Sequence, residues 1–301
     1  MKPIYLVGPT AVGKSAVAME LAGRISGEII SVDSMQVYRG LDIGTAKPSP
    51  AEQQQVSHHL IDVVELADPF DAAKFVALCS EIIAAVEARG NVPIFCGGTG
   101  LYLTAWLEGL GEAPPSDPEL RESLEAKSMD ELLPELREAD PTTYNRIDRE
   151  NPRRVVRALE VIRLTGRPFS EQRAAWTDSS GPEETVLCLA RETDDLRRRI
   201  DARVDEMFEA GLVAETESLL ERGLSESRAP MQAIGYRQVV EHLQGDRDLD
   251  NTITLIKTKT WQFARRQMTW FRNQLNATQI PLSPDDALTS VADRVLKLSQ
   301  P

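Results

Sequence analysis

The sequence has few cysteines and no long apolar segment. Its three cysteines, Cys79, Cys96 and Cys188, lie far apart in 301 residues and show no metal-ligand spacing. A disulfide framework and a structural zinc site are therefore not expected, and an odd cysteine count without a secretion signal suits a reducing cytosol. No apolar run approaches the roughly 20 residues that cross a bilayer. We expect a cytoplasmic monomer that does not associate with membranes.

Basic residues are outnumbered as well. The chain carries 34 Lys and Arg against 47 Asp and Glu, which gives a net charge of −13 at pH 7. This average argues against nucleic acid as a partner, but it can conceal a local basic patch. Two stretches run against it: residues 146–173 hold eight arginines and four acidic residues, and 257–272 hold five basic residues and no acidic one. Two interpretations stay open for them, solvent-exposed helix faces or a surface for nucleic acid.

Apolar runs alternate with helical periodicity in the first hundred residues. Strands that alternate with helices predict a parallel, doubly wound α/β sheet, and ligands bind such sheets beyond the carboxyl ends of the strands. The predicted strands are 4–8, 28–32, 59–64 and 92–96, with a helix from the end of a glycine loop to about residue 24 and another over 71–89.

The composition changes at the proline-rich segment 113–118, where a wholly helical stretch begins. We predict a helical insertion domain at 113–180 within one α/β core formed by 1–112 and 181–301. A strand at 185–190 is expected to return the chain to the sheet. Later helices are predicted at 193–209, 211–222, 236–244 and 249–272, with the chain ending soon after the last of them.

A complete phosphate-binding motif follows the first strand. The segment Gly8-Pro9-Thr10-Ala11-Val12-Gly13-Lys14-Ser15 fits G-x-x-x-x-G-K-[ST] without a mismatch, between a strand and a helix as the motif requires. Its backbone N–H groups and the helix N-terminus favour a phosphate, Lys14 adds a full charge, and the Ser15 hydroxyl can ligate Mg²⁺. The motif indicates a diphosphate or triphosphate without indicating a nucleotide. It predicts a P-loop NTPase-like parallel sheet flanked by helices.

A carboxylate stands at the carboxyl end of the second predicted strand, beside this loop. Asp33 directly follows the run Ile29-Ile30-Ser31-Val32. Three roles are open for its side chain: it could cap a turn, lie near a bound Mg²⁺, or act as a general base toward a nucleophile beside the phosphates.

Several further segments are distinctive when they are taken in order along the chain. They are Asp33 to Pro48, Gly97-Gly98-Thr99-Gly100-Leu101-Tyr102, Asn151 to Val161, Gly235-Tyr236-Arg237-Gln238, and Ala264 to Arg272. Together with the phosphate loop they resemble the tRNA dimethylallyltransferase family over nearly the whole chain. Each segment alone is weakly specific, but their common order makes the resemblance specific.

The resemblance implies a prenyl transfer to tRNA. The family moves a dimethylallyl group from dimethylallyl diphosphate to N6 of the adenosine at position 37, on the 3′ side of the anticodon, in tRNAs that read codons starting with U. It implies that Asp33 deprotonates the amine and that Thr10, Lys14 and Arg203 act on the leaving diphosphate, with Mg²⁺ on Ser15. The implied diphosphate-binding residues are Gly8, Pro9, Thr10, Ala11, Val12, Gly13, Lys14, Ser15 and Arg199.

The resemblance also gives both basic stretches a partner, the anticodon stem-loop of a tRNA. The target adenine must leave its stack to reach a buried pocket, and phosphates would be held by Arg and Lys. For Thr99 a simple helix cap, and for Tyr236 core packing, remain alternatives to tRNA contact. The implied tRNA-binding residues are Asp33, Ser34, Met35, Gln36, Thr99, Arg121, Arg153, Arg154, Arg157, Gln232, Gly235, Tyr236, Arg237, Gln238, Arg265 and Arg266.

Three other functions fit part of the sequence. An adenylate isopentenyltransferase uses the same kind of loop to make a free cytokinin, but it needs neither an insertion nor basic stretches. A P-loop kinase of small molecules and a non-catalytic RNA-binding protein are the other two. The prenyl acceptor distinguishes an adenylate isopentenyltransferase, which uses AMP, from a tRNA dimethylallyltransferase, which uses tRNA.

Overall fold

The computed structural model describes residues 1–172 and 184–299. These residues form two compact units, one made of 1–107 with 184–299 and the other of 108–172. The second unit starts near the predicted start of the insertion at residue 113. The predicted end of the insertion, residue 180, and Arg173 of the first basic stretch lie outside the described residues.

The first unit is built on a six-stranded sheet in which every paired neighbour runs parallel, in the order β3-β2-β4-β1-β5-β6. This confirms the predicted α/β fold with a parallel sheet flanked by helices. The strands are β1 (Ile4–Val7), β2 (Gly27–Val32), β3 (His58–His59), β4 (Val92–Gly97), β5 (Val186–Arg191) and β6 (Thr278–Leu282).

The helices of the described residues follow the predicted alternation. They are α1 (Lys14–Ile25), α2 (Pro50–Gln55), α3 (Ala72–Ala88), α4 (Gly100–Glu108), α5 (Pro118–Glu125), α6 (Met129–Ala139), α7 (Pro141–Arg146), α8 (Pro152–Thr165), α9 (Phe169–Gln172), α10 (Thr193–Glu209), α11 (Leu212–Glu221), α12 (Tyr236–Leu243), α13 (Leu249–Gln274) and α14 (Leu288–Ser299).

Both faces of the sheet are covered, which explains why its strands are continuous apolar runs rather than alternating ones. Alternate residues of β1 point to opposite sides: Ile4 and Leu6 join the apolar cluster under α1 and α14, whereas Tyr5 and Val7 join the cluster with Phe75 of α3. The insertion has its own apolar core between α5, α6 and α8.

Two predictions of secondary structure were wrong. The third strand is only His58–His59, because Leu60 and Asp62 have positive φ angles of 60° and 54°, which end an extended chain. No strand or helix was predicted after residue 272, yet β6 pairs with β5 and α14 packs against α1. β6 lies at the sheet edge and contains Pro281, which weakens its strand pattern in the sequence.

The buried carboxylate of Glu28 connects β2 by hydrogen bonds to β3 and to the segment after α3. Glu28 is 4% exposed, and its oxygens accept hydrogen bonds from Arg89 (2.9 and 2.7 Å), Asn91 (2.7 Å) and His59 (2.6 Å). The hydrogen bonds from Arg89, more than those from Asn91 and His59, lower the pKa of Glu28 to about 2.

Glu28→Gln is expected to destabilise the first unit by about 3 kcal/mol at neutral pH. A lowered pKa gives stability that is present above the unfolded value of 4.5 and is lost as pH falls toward 2. The thermal midpoint of the variant should therefore depend less on pH between 5 and 2 than that of the wild type. Glu81→Gln, on the exposed face of α3, is the matched control, and parallel curves for wild type and Glu28→Gln would refute this account.

Candidate active site

The phosphate loop connects β1 to α1 in a conformation that needs glycine at two positions. Gly8 and Gly13 have φ angles of 148° and 110°, and a Cβ on Gly8 would lie 2.7 Å from the Leu189 carbonyl oxygen. The Lys14 ammonium donates to the Pro9 carbonyl at 2.7 Å and so lies back over the loop. Burial lowers the pKa of Lys14 to about 8, and the nearby charge of Arg203 acts in the same direction. An anion bound at this loop would favour the charged ammonium.

Three arginines hold successive residues of the loop. Arg191 donates to the Val12 carbonyl (2.9 Å) and Arg199 to the Ala11 carbonyl (2.9 Å), while Arg203 donates to the Thr10 hydroxyl (3.2 Å). Arg199 and Arg203 are one turn apart on α10, so both reach the same side of the loop. Burial lowers the pKa of Arg203, against the opposing charges of Asp33 and Glu206. The surroundings of the loop are thus strongly positive, as an anion site requires.

Arg191 was not among the predicted site residues. It ends β5, the strand next to β1, and Asp195 on α10 holds its guanidinium at 2.8 Å. Its position at the carboxyl end of a strand beside the loop was the available signal.

Asp33 caps a turn, the first of its three predicted possibilities. Its Oδ1 accepts from the backbone N–H of Met35 (2.8 Å) and Gln36 (3.3 Å), which closes a turn after β2. Among the described residues Oδ2 accepts no hydrogen bond, and Asp33 lines a cavity together with Thr10. A carboxylate oxygen is therefore available to a ligand beside the phosphate loop.

The turn after β2 is fixed from two sides. Thr99, at the start of α4, accepts from the Ser34 N–H at 3.1 Å. Gln36 accepts from the Ser31 hydroxyl (2.9 Å) and donates to the carbonyls of Thr45 and Ala46, both at 3.2 Å. Thr99 and Gln36 therefore have structural hydrogen bonds in addition to any contact with a substrate.

The cavity has a volume of about 290 Å³ and offers two kinds of lining. Its polar side chains include Thr10, Asp33, Ser34, Thr99, Arg203, Gln232 and Arg266. Its apolar side chains include Met35, Ile200, Val204, Met207, Ile234, Ile256 and Phe263. The cavity can therefore accommodate a polar reacting group near the phosphate loop and an apolar group beside it.

Two residues of the segment 235–238 make hydrogen bonds inside the first unit. Tyr236 is fully buried, and its hydroxyl donates to Glu215 (2.6 Å) and accepts from the Gly44 N–H (3.1 Å). Gln238, 8% exposed, accepts from the Gly235 N–H at 2.9 Å. By contrast, Arg237 is on the surface, where it pairs with Glu241.

The arginines of the insertion divide into two groups. Arg157 points inward, because it donates to the fully buried Glu160 (2.7 Å) and to the Pro114 carbonyl (2.6 Å), and Arg121 lies 3.6 Å from the same carboxylate. Arg153 and Arg154 are exposed on α8. The guanidinium of Arg157 is directed to Glu160 because a buried carboxylate needs a cation beside it. On α13 of the first unit, Arg265 and Arg266 are exposed.

A glycine-rich loop joins a strand of a parallel sheet to the N-terminus of α1, with three arginines beside it, which makes this an α/β fold of P-loop-like architecture. Within that fold class, the chain belongs to the IPP transferase family, whose model matches residues 36–274. None of the helices in the described residues is both long and apolar enough to cross a membrane.

Known proteins resemble the chain over nearly its whole length. The tRNA dimethylallyltransferase 1 of Trichlorobacter lovleyi is 47% identical, with 96% of this chain and 97% of that protein covered. The crystal structure of a full-length tRNA isopentenylpyrophosphate transferase from Bacillus halodurans has 37% identity and a TM-score of 0.71, covering 99% of this chain and 96% of that one. A eukaryotic dimethylallyltransferase, crystallised acting on tRNA, has 26% identity and a TM-score of 0.79, covering 97% and 77%.

Tyr236→Phe separates the structural role of this residue from tRNA contact. Loss of the hydroxyl leaves Glu215 and the Gly44 N–H with one partner fewer, so the free energy of unfolding should fall by about 1–2 kcal/mol. Affinity for tRNA, measured by filter binding below the melting temperature, should stay unchanged. The surface variant Arg237→Ala should change stability by less than about 0.5 kcal/mol. A Tyr236→Phe protein of wild-type stability with weakened tRNA binding would restore the contact role.

Proposed function

We propose that this protein transfers the dimethylallyl group of dimethylallyl diphosphate to N6 of the adenosine at position 37 in tRNAs that read codons starting with U. One observation carries the proposal: Asp33, Thr10 and Arg203, which offer a carboxylate, a hydroxyl and a guanidinium, line the same cavity. Membership of the IPP transferase family, with relatives named tRNA dimethylallyltransferases, supports it.

The leaving group would lie on the phosphate loop. As the bond between C1 and oxygen breaks, negative charge grows on the diphosphate, so fixed donors at that position stabilise the transition state more than the ground state. Lys14, the Thr10 hydroxyl and Arg203, together with N–H groups of the loop, would supply those donors.

Magnesium would fit beside the loop. The Ser15 hydroxyl is exposed at the start of α1, and the described residues contain no cluster of three acidic, histidine or cysteine side chains for a metal. This suits Mg²⁺, which commonly takes one or two protein oxygens and completes its shell with water and substrate phosphates. Bound there, it would neutralise charge on the diphosphate.

The acceptor would enter from the side of Asp33. The adenine N6 attacks C1, the C1–O bond breaks with its electron pair going to the diphosphate, and one N6 proton passes to the free oxygen of Asp33. The hydrogen bonds from Met35 and Gln36 hold the carboxylate in place. The apolar lining of the cavity would contact the five-carbon chain and keep water away from it.

The tRNA would be held by exposed arginines on each unit, Arg153 and Arg154 on α8 and Arg265 and Arg266 on α13. These contacts go to phosphates, which position the anticodon loop, while edges of unstacked bases give specificity. Local groups of arginines on each unit would allow a chain with a net charge of −13 to bind a nucleic acid.

A comparison of acceptors tests the function directly. The purified protein is incubated with radiolabelled dimethylallyl diphosphate and Mg²⁺, with either unmodified tRNA or AMP as acceptor. Label in the tRNA and none in AMP is expected. Label in AMP alone would make the protein an adenylate isopentenyltransferase, and phosphoryl transfer from ATP without prenyl transfer would make it a kinase.

Asp33→Asn isolates the proposed base. Asparagine keeps an oxygen that can accept the Met35 N–H, so the turn is preserved, but it cannot take a proton at neutral pH. Turnover should fall by about 10²–10⁴-fold, with the Kd for tRNA unchanged. The exposed Asp285→Asn is the control for the loss of one negative charge. Wild-type turnover in Asp33→Asn would remove Asp33 from the chemistry.

Arg154→Ala and Arg157→Ala should differ although they lie one turn apart on α8. Arg154→Ala should weaken tRNA binding and reduce the slope of log K against log salt by about 1, with stability unchanged. Arg157→Ala leaves Glu160 buried with a weaker counter-ion, so it should destabilise the insertion by about 3 kcal/mol. Salt-dependent binding and thermal melts check the pair. Equal salt slopes for Arg154→Ala and the wild type would contradict the proposed contact.

A further inference from the structure

One glutamine of α13 joins the phosphate loop to the turn after β4. Gln267 is 6% exposed, and its Oε1 accepts the backbone N–H of Thr10 at 2.8 Å. Its Nε2 donates to the Gly98 carbonyl at 3.0 Å. Among neutral side chains of this length, only an amide offers an acceptor and a donor in this way. The Oε1 and Nε2 atoms of the amide thus both form hydrogen bonds with backbone groups, each in a different loop.

The space around this amide is closely fitted. A Cβ on Gly98 would overlap Nε2 of Gln267, so the glycine and the glutamine depend on each other. The packing of α13 at this point comes from apolar neighbours, since Ala264 and Phe271 are buried in the clusters on either side of the sheet. Holding the helix in place therefore does not by itself require an amide at position 267.

The two hydrogen bonds of Gln267 connect it to the two loops that carry the reacting groups. On one side, Thr10 presents its hydroxyl to Arg203 and lines the cavity at the phosphate loop. On the other side, Gly98 precedes Thr99, whose hydroxyl accepts the Ser34 N–H in the turn that carries Asp33. The backbone N–H groups of Gly98 and Thr99 also both donate to the Val32 carbonyl, at 3.1 and 3.0 Å, just before Asp33.

We propose that Gln267 is a positioning residue that sets the separation between the leaving-group site at Thr10 and the acceptor site at Asp33. The inference rests on the proposed function, because a displacement at C1 needs the attacking and leaving atoms at a fixed distance on opposite sides of one carbon. A displacement of about 1 Å from the productive geometry can cost about 10²-fold in rate. Gln267 touches neither reacting atom and acts through the two loops.

Gln267→Glu is the sharpest variant, because it preserves size and keeps an acceptor for the Thr10 N–H. Its second oxygen would face the Gly98 carbonyl, so the bridge opens on that side. We expect kcat to fall by about 10²-fold, while KM for tRNA and for dimethylallyl diphosphate changes by less than about threefold. The exposed Gln262→Glu, on the same helix, adds the same charge and should behave as the wild type.

Gly98→Ala provides a second and independent variant. The added Cβ occupies the place of Nε2, so it should lower kcat by more than about tenfold in the wild-type background but by less than about twofold when Gln267 is already alanine. The Gly98→Ala comparison does not use Gln267→Glu, so it remains valid if that variant folds poorly. The thermal midpoint of each protein is measured first, and rates are compared only between folded proteins.

The outcomes separate this inference from the function itself. A wild-type protein that prenylates no tRNA refutes the proposed function. A wild-type protein that is active, with Gln267→Glu at the same kcat, refutes the positioning role of Gln267. Equal loss in Gln267→Glu and Gln262→Glu, or additive effects of Gly98→Ala and Gln267→Ala, would overturn it as well.

Discussion

The close approach of chain segments around the ends of β1, β2 and β4, with β5 and Gln267 beside them, is the constraint on which the site depends. Gly8 lies against the Leu189 carbonyl, Gly97 against Val32, and Gly98 against Gln267, so that a side chain at any of these positions would collide with its neighbour. This proximity brings the phosphate loop, through Thr10, and the Asp33 carboxylate to one cavity, although the two residues are 23 positions apart in the chain. The parallel sheet makes the proximity possible, because the carboxyl ends of its strands all lie at the same edge of the sheet.

Charge is arranged locally in this acidic chain. Arg191, Arg199 and Arg203 surround the phosphate loop, and only the first has a close acidic partner in the described residues, Asp195. Elsewhere, arginines neutralise buried carboxylates, as Arg89 does for Glu28 and Arg157 for Glu160. The same residue type therefore serves an anion site, the interior of the protein and, on our proposal, the surface that meets tRNA. Composition alone does not distinguish these three uses.

The sequence predicted the parts of the fold whose signals are local. The phosphate loop, Asp33 and the bounds of α10 follow from a strand, a glycine turn and a helical period within a short window. The edge strand β6 did not, because it is half exposed and contains a proline. The third strand was predicted too long, because nothing in the residue types of Leu60 and Asp62 reveals their positive φ.

Side-chain direction and long-range hydrogen bonds were the least predictable features of the site. Tyr236 belongs to a segment typical of the family, yet it is buried against Glu215, which the sequence did not single out. Gln267 was invisible as a site residue because its partners are backbone groups, one of them 257 residues away. Arg157 fits a basic stretch by pattern, and only the burial of Glu160 shows why its guanidinium points inward.

Mass spectrometry of tRNA from a strain that lacks this gene tests the central claim most directly. The account predicts that N6-dimethylallyladenosine disappears from position 37 of tRNAs that read codons starting with U. It further predicts that the wild-type gene restores the modification and that a gene encoding Asp33→Asn does not. Unchanged modification in the deletion strain, or full restoration by the Asp33→Asn gene, would contradict the account.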